Sequence, residues 1–280
     1  MKPFIKWAGG KAQLAPTLVE YFPQKIENYC EPFLGGGAIF FYLMNMGFIS
    51  SSSDNEVILN DLNRKLMETW GQIKGDPERL VHELRNYEQT HEMSPEFFYS
   101  KNRMDFNNQF TLPSLTAPLF IYLNKAGFNG LYRENSKGKF NVPFGKKNKV
   151  NLFDYDNIMD IHKALQNVSL LNEDYKNIHL SGNPSSWFIY FDPPYVPLNP
   201  TSSFTSYTAE GFNIKEQEEL AKNFEMLDHQ GCKLALSNSD TQLVRDLYSG
   251  FKIHEVEASR RINCKGEKRG KITELLVTNY

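Results

Sequence analysis

The chain has 280 residues, 40% of them hydrophobic and 23% charged, with 31 Lys and Arg against 33 Asp and Glu. This balance is near the average of globular proteins and excludes a disordered class, while no apolar run approaches the roughly 20 residues of a spanning helix. The glycine-rich opening, Met1 to Lys11, does not read as a signal peptide, so a cytoplasmic protein without membrane contact is expected. Cys30, Cys232 and Cys264 are odd in number and far apart, which fits neither a disulfide framework nor a metal cluster.

Tyr29 to Leu34 reads as a strand that enters Gly35-Gly36-Gly37 and continues into a helix from Ala38 to Asn45. Glycines let the backbone turn tightly and approach a ligand without a Cβ. Val57 to Asn60 is a short apolar run ending at Asp61, and Leu62 to Ile73 has helical spacing. Asp61 follows the glycines at close to the about 20 residues expected of an acid that binds ribose hydroxyls. The glycine turn alone is weak evidence; with Asp61 at the next strand end it points to an adenosine-containing cofactor.

From Gly75 to about residue 160 the character changes. Helical patterns at Glu78 to Tyr87 and Pro118 to Lys125, with polar stretches and few β runs, predict a mostly helical insertion. Within it, residues 126 to 133 and 138 to 145 frame a basic, glycine-punctuated loop of hairpin character. Lys125, Arg133, Lys137, Lys139, Lys146, Lys147 and Lys149 stand there against Glu134, and a second basic run holds Arg260, Arg261, Lys265, Lys268, Arg269 and Lys271 against Glu267. Each alone would be a solvated loop. Together, on an otherwise acidic chain, they make a bipartite phosphate footprint.

Strands resume at Val168 to Leu171 and at Trp187 to Phe191, followed by a helix from Ile214 to Asp228 and a strand from Cys232 to Asn238. Phe251 to Val256 and Ile272 to Thr278 form an antiparallel pair. The expected architecture is a mixed α/β sheet with helices on both faces. Trp187 to Phe191 has the unbroken apolar and aromatic character of a strand buried on both sides, and Asp192-Pro193-Pro194-Tyr195 follows it directly. Ligands of such sheets bind beyond the carboxyl ends of the strands. The prolines fix φ and remove two N–H donors, so the carboxylate and carbonyls form an acceptor-rich turn beside an aromatic ring. That combination suits a planar group carrying an amino donor, such as a nucleobase.

Ordered along the chain, Phe4 to Lys11, Glu31 to Gly37 and Asp192 to Tyr195 resemble the motifs of the Dam-type DNA adenine N6-methyltransferases, and the likeness spans essentially the whole length. The resemblance implies a Rossmann-like sheet using S-adenosyl-L-methionine in residues 1–74 and 160–280, with an inserted DNA-recognition domain in residues 75–159. It implies cofactor contacts at Trp7, Lys11, Phe33, Gly35, Gly37, Asp61, Tyr175 and Asp192. Lys11 would meet the methionine carboxylate and Asp61 the ribose hydroxyls. Asp192, Pro193 and Tyr195 would be catalytic, acting on N6 of an adenine flipped out of double-stranded DNA. Lys6, Phe128, Leu131, Arg133 and Pro143 match positions that contact bases of GATC in relatives of known specificity. Lys125, Asn129, Lys146 and Lys147 complete the DNA-binding set. Phe128 replaces a commoner Tyr, which keeps stacking and loses a phenolic hydrogen bond. Phe204 to Tyr207 resembles the segment that follows the catalytic motif. No metal is implied, and a monomer is expected.

Four alternatives compete. An N4-cytosine methyltransferase usually carries Ser, and an RNA or protein-glutamine methyltransferase more commonly Asn, where Asp192 stands. A nicotinamide oxidoreductase would leave the prolines unexplained, and a silent DNA-binding module would have no use for Lys11, Asp61 and Asp192 together.

Overall fold

The structure is a computed structural model that describes residues 1–50, 55–108, 113–197, 212–259 and 271–280. Seven strands form one sheet: β1 (Asn28–Glu31), β2 (Val57–Asn60), β3 (Val168–Leu171), β4 (Trp187–Phe191), β5 (Lys233–Ser239), β6 (Lys252–Ser259) and β7 (Lys271–Thr278), in the order β3-β2-β1-β4-β5-β7-β6. The first five are parallel, and β7 runs antiparallel between β5 and β6. This is a Rossmann-like α/β sheet. The strand order reverses direction between β1 and β4, paired with Tyr29 opposite Phe188, and a crevice opens at that switch point.

Nine α-helices lie among the described residues: α1 (Ala15–Val19), α2 (Ala38–Met46), α3 (Arg64–Gly75), α4 (Pro77–Met93), α5 (Pro95–Phe106), α6 (Pro113–Ala126), α7 (Tyr155–Ala164), α8 (Ile214–His229) and α9 (Gln242–Leu247). Their starts follow local chemistry. Asn63 accepts the Leu66 N–H, Asp76 the Arg79 N–H, Asp154 the Asn157 N–H and Asn213 the Glu216 N–H, each satisfying an otherwise orphaned donor.

Two corrections concern the insertion. Pro118 was expected to open a helix, yet it lies inside α6, which begins five residues earlier at Pro113. A proline inside a helix costs about 3 kcal/mol, and here residues 116 to 124 are all buried, the proline included, so packing outweighs the lost bond. The second is α5, which the spacing did not announce. Its Phe97 and Met104 are exposed and blur the apolar stripe that marks a helix.

All five residues of β4 are buried and alternate between two cores. Phe188 and Tyr190 face a cluster holding Tyr29 and Leu59, whereas Trp187, Ile189 and Phe191 face one built from Leu220, Phe224, Leu234 and Leu236. The first cluster runs without a break into Leu80, Leu84, Tyr99, Phe120 and Tyr122 of α4 to α6. The helical insertion therefore shares its core with one face of the sheet. No helix among the described residues is long and apolar enough to cross a membrane.

Candidate active site and nucleic-acid face

At the carboxyl ends of β1, β2 and β4 lies a cavity of about 460 Å3, within the range typical of small-ligand sites. The glycine turn forms its floor. Gly35 and Gly37 have φ of +50° and +68°, and a Cβ at either would come within 2.5 Å of the Trp7 indole or 2.7 Å of the Trp70 ring. Only glycine fits both the backbone and the space. Asp61, at the end of β2, clasps this turn: Oδ2 accepts the Gly35 N–H at 2.9 Å and Oδ1 the Asn63 N–H at 2.9 Å. Burial pushes its carboxyl above the usual range, opposed by those two N–H groups. Each oxygen retains a second lone pair for a hydroxyl.

The cavity wall is aromatic. Phe33 and Tyr175 lie 5.3 Å apart, and Phe212 meets Phe33 edge-on at 5.9 Å. Among the described residues the buried Tyr175 hydroxyl has no hydrogen-bond partner. Glu31 lines the cavity from the end of β1, holds the Tyr29 hydroxyl at 2.9 Å, and has its carboxyl pushed well up by burial.

Across the cavity stands the Asp-Pro-Pro-Tyr turn. The Lys11 ammonium, 4% exposed, lies 2.8 Å from Asp192 Oδ1 and donates to the Gly9 carbonyl at 2.7 Å. It also sits 4.5 Å from the centre of the Tyr195 ring. Lys11 thus pairs with the catalytic candidate itself. The Lys11 ammonium engages one lone pair of Asp192 Oδ1, and the carboxylate retains further acceptor sites. Burial raises the Asp192 carboxyl to about 6; Lys11 pulls it down and Glu274 pushes it further up.

A buried polar network holds the turn rigid. Gln217 of α8 donates to the Pro194 carbonyl at 2.8 Å and accepts from Asn238 at 3.0 Å. Asn238 accepts the Val196 N–H at 3.2 Å, and the Ser239 hydroxyl donates to the Val196 carbonyl at 2.7 Å. The Tyr195 hydroxyl donates to Glu274 of β7 at 2.8 Å.

On the neighbouring face, residues 126 to 145 fold back on themselves through bridges Gly127 to Phe144 and Glu134 to Phe140. The expected hairpin is a loop with two isolated bridges and a 3-10 turn at Phe128–Gly130, bent by Asn129 at φ 55°. Lys6, Phe128, Asn129, Arg133, Pro143 and Lys146 are exposed; Leu131, Lys125 and Lys147 are partly buried. Asn141 Oδ1 accepts from Arg133 Nε at 2.7 Å and orients the guanidinium. Lys147 donates to the Lys125 carbonyl. Burial and then the positive charges of Lys6, Lys2 and Lys147 push Lys125 down, and burial and Lys6 do the same to Lys147. Like charge is thus crowded on this face.

One amide ties this face to the cavity. Asn124, 1% exposed, accepts the Lys6 N–H at 3.0 Å and donates to the carbonyls of Lys6 at 2.8 Å and Gly130 at 2.9 Å. Next to it Trp7 stacks on Tyr132 at 5.3 Å.

Sequence reasoning does not find Asn124, Gln217, Phe212 and Glu274, and it gives Glu31 a place in the glycine motif but no role at the site. Asn238 had been seen only as a polar strand end. A polar residue inside an apolar run, as at Asn124, is the signal that marks such positions. Phe204 to Tyr207, and the basic residues Arg260, Arg261, Lys265, Lys268 and Arg269, lie outside the described residues. Among the described residues no group of three or more His, Cys, Asp or Glu is arranged for a metal.

The model of the D12 class N6 adenine-specific DNA methyltransferases matches residues 7–262. The chain is 44% identical to the type II methyltransferase M.MjaIII of Methanocaldococcus jannaschii, over 100% of this chain and 99% of that one. It is 38% identical to the type II methyltransferase M1.LlaDCHI of Lactococcus lactis subsp. cremoris (100% and 96%) and 34% identical to the DNA adenine methylase of Escherichia coli (99% and 94%). With the cavity, the acceptor-rich turn and these matches taken together, the chain belongs to the D12 class of N6 adenine-specific DNA methyltransferases.

Proposed function

We propose that this adenine-specific DNA methyltransferase uses S-adenosyl-L-methionine to methylate N6 of an adenine flipped out of duplex DNA, within GATC. The observation that carries the reading is the half-buried carboxylate of Asp192, paired with Lys11 and with acceptor sites to spare, in the lining of a cavity that also holds Phe33, Tyr175 and Asp61. Residues 1–74 and 160–280 serve as the cofactor-binding part and 75–159 as the recognition part.

The cavity suits the cofactor in chemistry as well as size. Phe33 and Tyr175, in contact with each other, form one aromatic wall on which an adenine ring can lie, Asp61 offers lone pairs to ribose hydroxyls, and Gly35 and Gly37 leave room for close backbone approach. When bound, S-adenosyl-L-methionine supplies an electrophilic methyl group. The Lys11 ammonium beside Asp192 remains within the cavity lining, where it can also balance a carboxylate.

The amino nitrogen of adenine is a poor nucleophile because its lone pair is delocalised into the ring. Asp192 and the Pro193 carbonyl accept hydrogen bonds from its two N–H groups, draw the nitrogen toward tetrahedral geometry and stabilise the positive charge that develops there until one N6 proton is lost. Rigidity of the turn is what makes this effective, and Gln217, Asn238 and Ser239 supply it. Tyr195 offers a ring face to the base. Extrusion of the adenine costs a few kcal/mol, offset by these contacts. On the outer face Lys6, Lys125, Lys146 and Lys147 neutralise phosphates, while Phe128, Asn129, Leu131, Arg133 and Pro143 read base edges.

The test is tritiated methyl transfer to duplexes containing GATC, GTTC or no adenine, with nucleoside digestion of the product. N6-methyladenine from GATC duplexes alone, abolished in Asp192→Ala while DNA binding persists, is expected. Methylation of a different sequence would overturn the site assignment; more than a few per cent of the wild-type rate in Asp192→Ala would overturn the role of the carboxylate.

A further inference from the structure

Tyr195 is gripped from three sides. Lys11 occupies the space over its ring at 4.5 Å from the centroid, its hydroxyl donates to Glu274 at 2.8 Å, and the next residue, Val196, is fixed by Asn238 and Ser239. Glu274 belongs to β7, where it pairs with Ser239 of β5 and Val256 of β6. The same pair of strands therefore holds two consecutive residues of the turn: Ser239 takes the Val196 backbone and Glu274 the Tyr195 side chain. Rotation about Cα–Cβ would swing the hydroxyl away from Glu274, so that hydrogen bond holds χ1, whereas rotation about Cβ–Cγ leaves the hydroxyl in place and is limited by Lys11 over the ring face. With Lys11 against one face, a planar base has the opposite face to meet.

We propose that Glu274 is the positioning residue of the target-base pocket, fixing through the Tyr195 hydroxyl the position of the ring that receives the flipped adenine. This rests on the reading that Tyr195 flanks the target base. Glu274 touches no reacting atom. It acts by removing ring positions in which the base would find no flat surface, and by the sign of its charge near Asp192.

That charge gives the role a second signature. The groups that face Asp192 are Lys11 from the N-terminal segment, Glu31 at the end of β1, Tyr190 and Tyr195 from its own strand and turn, and Glu274 from β7. Lys11 lowers the proton affinity of Asp192, and Glu274 raises it. Replacing Glu274 by a neutral acceptor of the same shape preserves the grip on Tyr195 and removes the like charge.

The experiment is a double-mutant cycle of Glu274→Ala and Tyr195→Phe on kcat/KM for duplex DNA, with Glu274→Gln and Tyr195→Ala as companions and thermal melting to check folding. Each of the first two removes one end of the same hydrogen bond, so each lowers kcat/KM about tenfold and the pair together no further, since a charge-assisted bond is a single unit. Glu274→Gln retains most of the rate near pH 8 and moves the acid limb of the pH profile to lower pH. Losses that multiply in the double variant overturn the proposal, as does a Glu274→Gln profile whose acid limb stays in place. The underlying reading fails separately: if Tyr195→Ala leaves kcat/KM unchanged, Tyr195 is not at the base at all. A large loss in Tyr195→Ala with none in Glu274→Ala rejects the positioning role alone.

Discussion

Acid should switch this enzyme off at a pH where an ordinary aspartate would still be charged. Asp192 has its carboxyl raised to about 6, chiefly by burial. A carboxylate with that value is about 97% ionised at pH 7.5 and about 9% at pH 5, whereas one at the usual 3.9 is still about 93% ionised at pH 5. If only the ionised form draws the amino hydrogens of the target, kcat/KM falls about tenfold between pH 7.5 and pH 5, with a slope approaching one decade per pH unit. The sign follows from burial: the site favours the protonated acid, so activity is lost as pH falls through about 6. Lys11→Met removes the neighbouring charge that lowers this value, and it moves the limb to higher pH. The assay is initial-rate methyl transfer at subsaturating DNA and fixed ionic strength, because phosphate contacts are themselves salt-dependent. A flat profile down to pH 5, or a limb that Lys11→Met leaves unmoved, would refute the assignment of Asp192 as a buried, ionised acceptor coupled to Lys11.

Two further predictions concern the glycine turn and the basic face. Gly37→Ala combines a left-handed φ of +68° with an approach of 2.7 Å to Trp70, and should cost about 2–4 kcal/mol in denaturant unfolding; Gly71→Ala, in mid-α3 with open space around it, should instead gain about 0.5–1 kcal/mol. Lys125→Gln should reduce the slope of log binding constant against log salt by about one and weaken all duplexes alike, read by fluorescence anisotropy; an unchanged slope would place Lys125 away from the phosphates.

What the sequence made legible was whatever depends on local pattern. The unbroken run Trp187 to Phe191 announced a central strand, and all five residues are buried. The glycine turn and Asp61 announced each other, and a hydrogen bond joins them. Long-range partners were another matter. Nothing near Tyr195 in the chain indicates that its hydroxyl reaches Glu274, because that contact exists only once β7 has inserted between β5 and β6. Gln217 likewise reads as one more polar residue of a charged helix until α8 docks beneath the turn. Pro118 misled for the opposite reason: a strong local signal was overridden by the burial of the helix around it.

The clamp at Asn124 bears on how such an enzyme can change the sequence it reads. Because one carboxamide fastens the backbone at Lys6 to the turn at Gly130, and the next residue, Trp7, stacks on Tyr132, the loop proposed for recognition is registered against Lys6 and Trp7. It is not a cassette. Transplanting residues 127 to 145 from a relative with another target would carry new base contacts onto an old anchor and misplace them. If this loop reads the target as proposed, a change of specificity calls for paired changes, one in the loop and one near Lys6, and an engineer seeking a new target should vary both together.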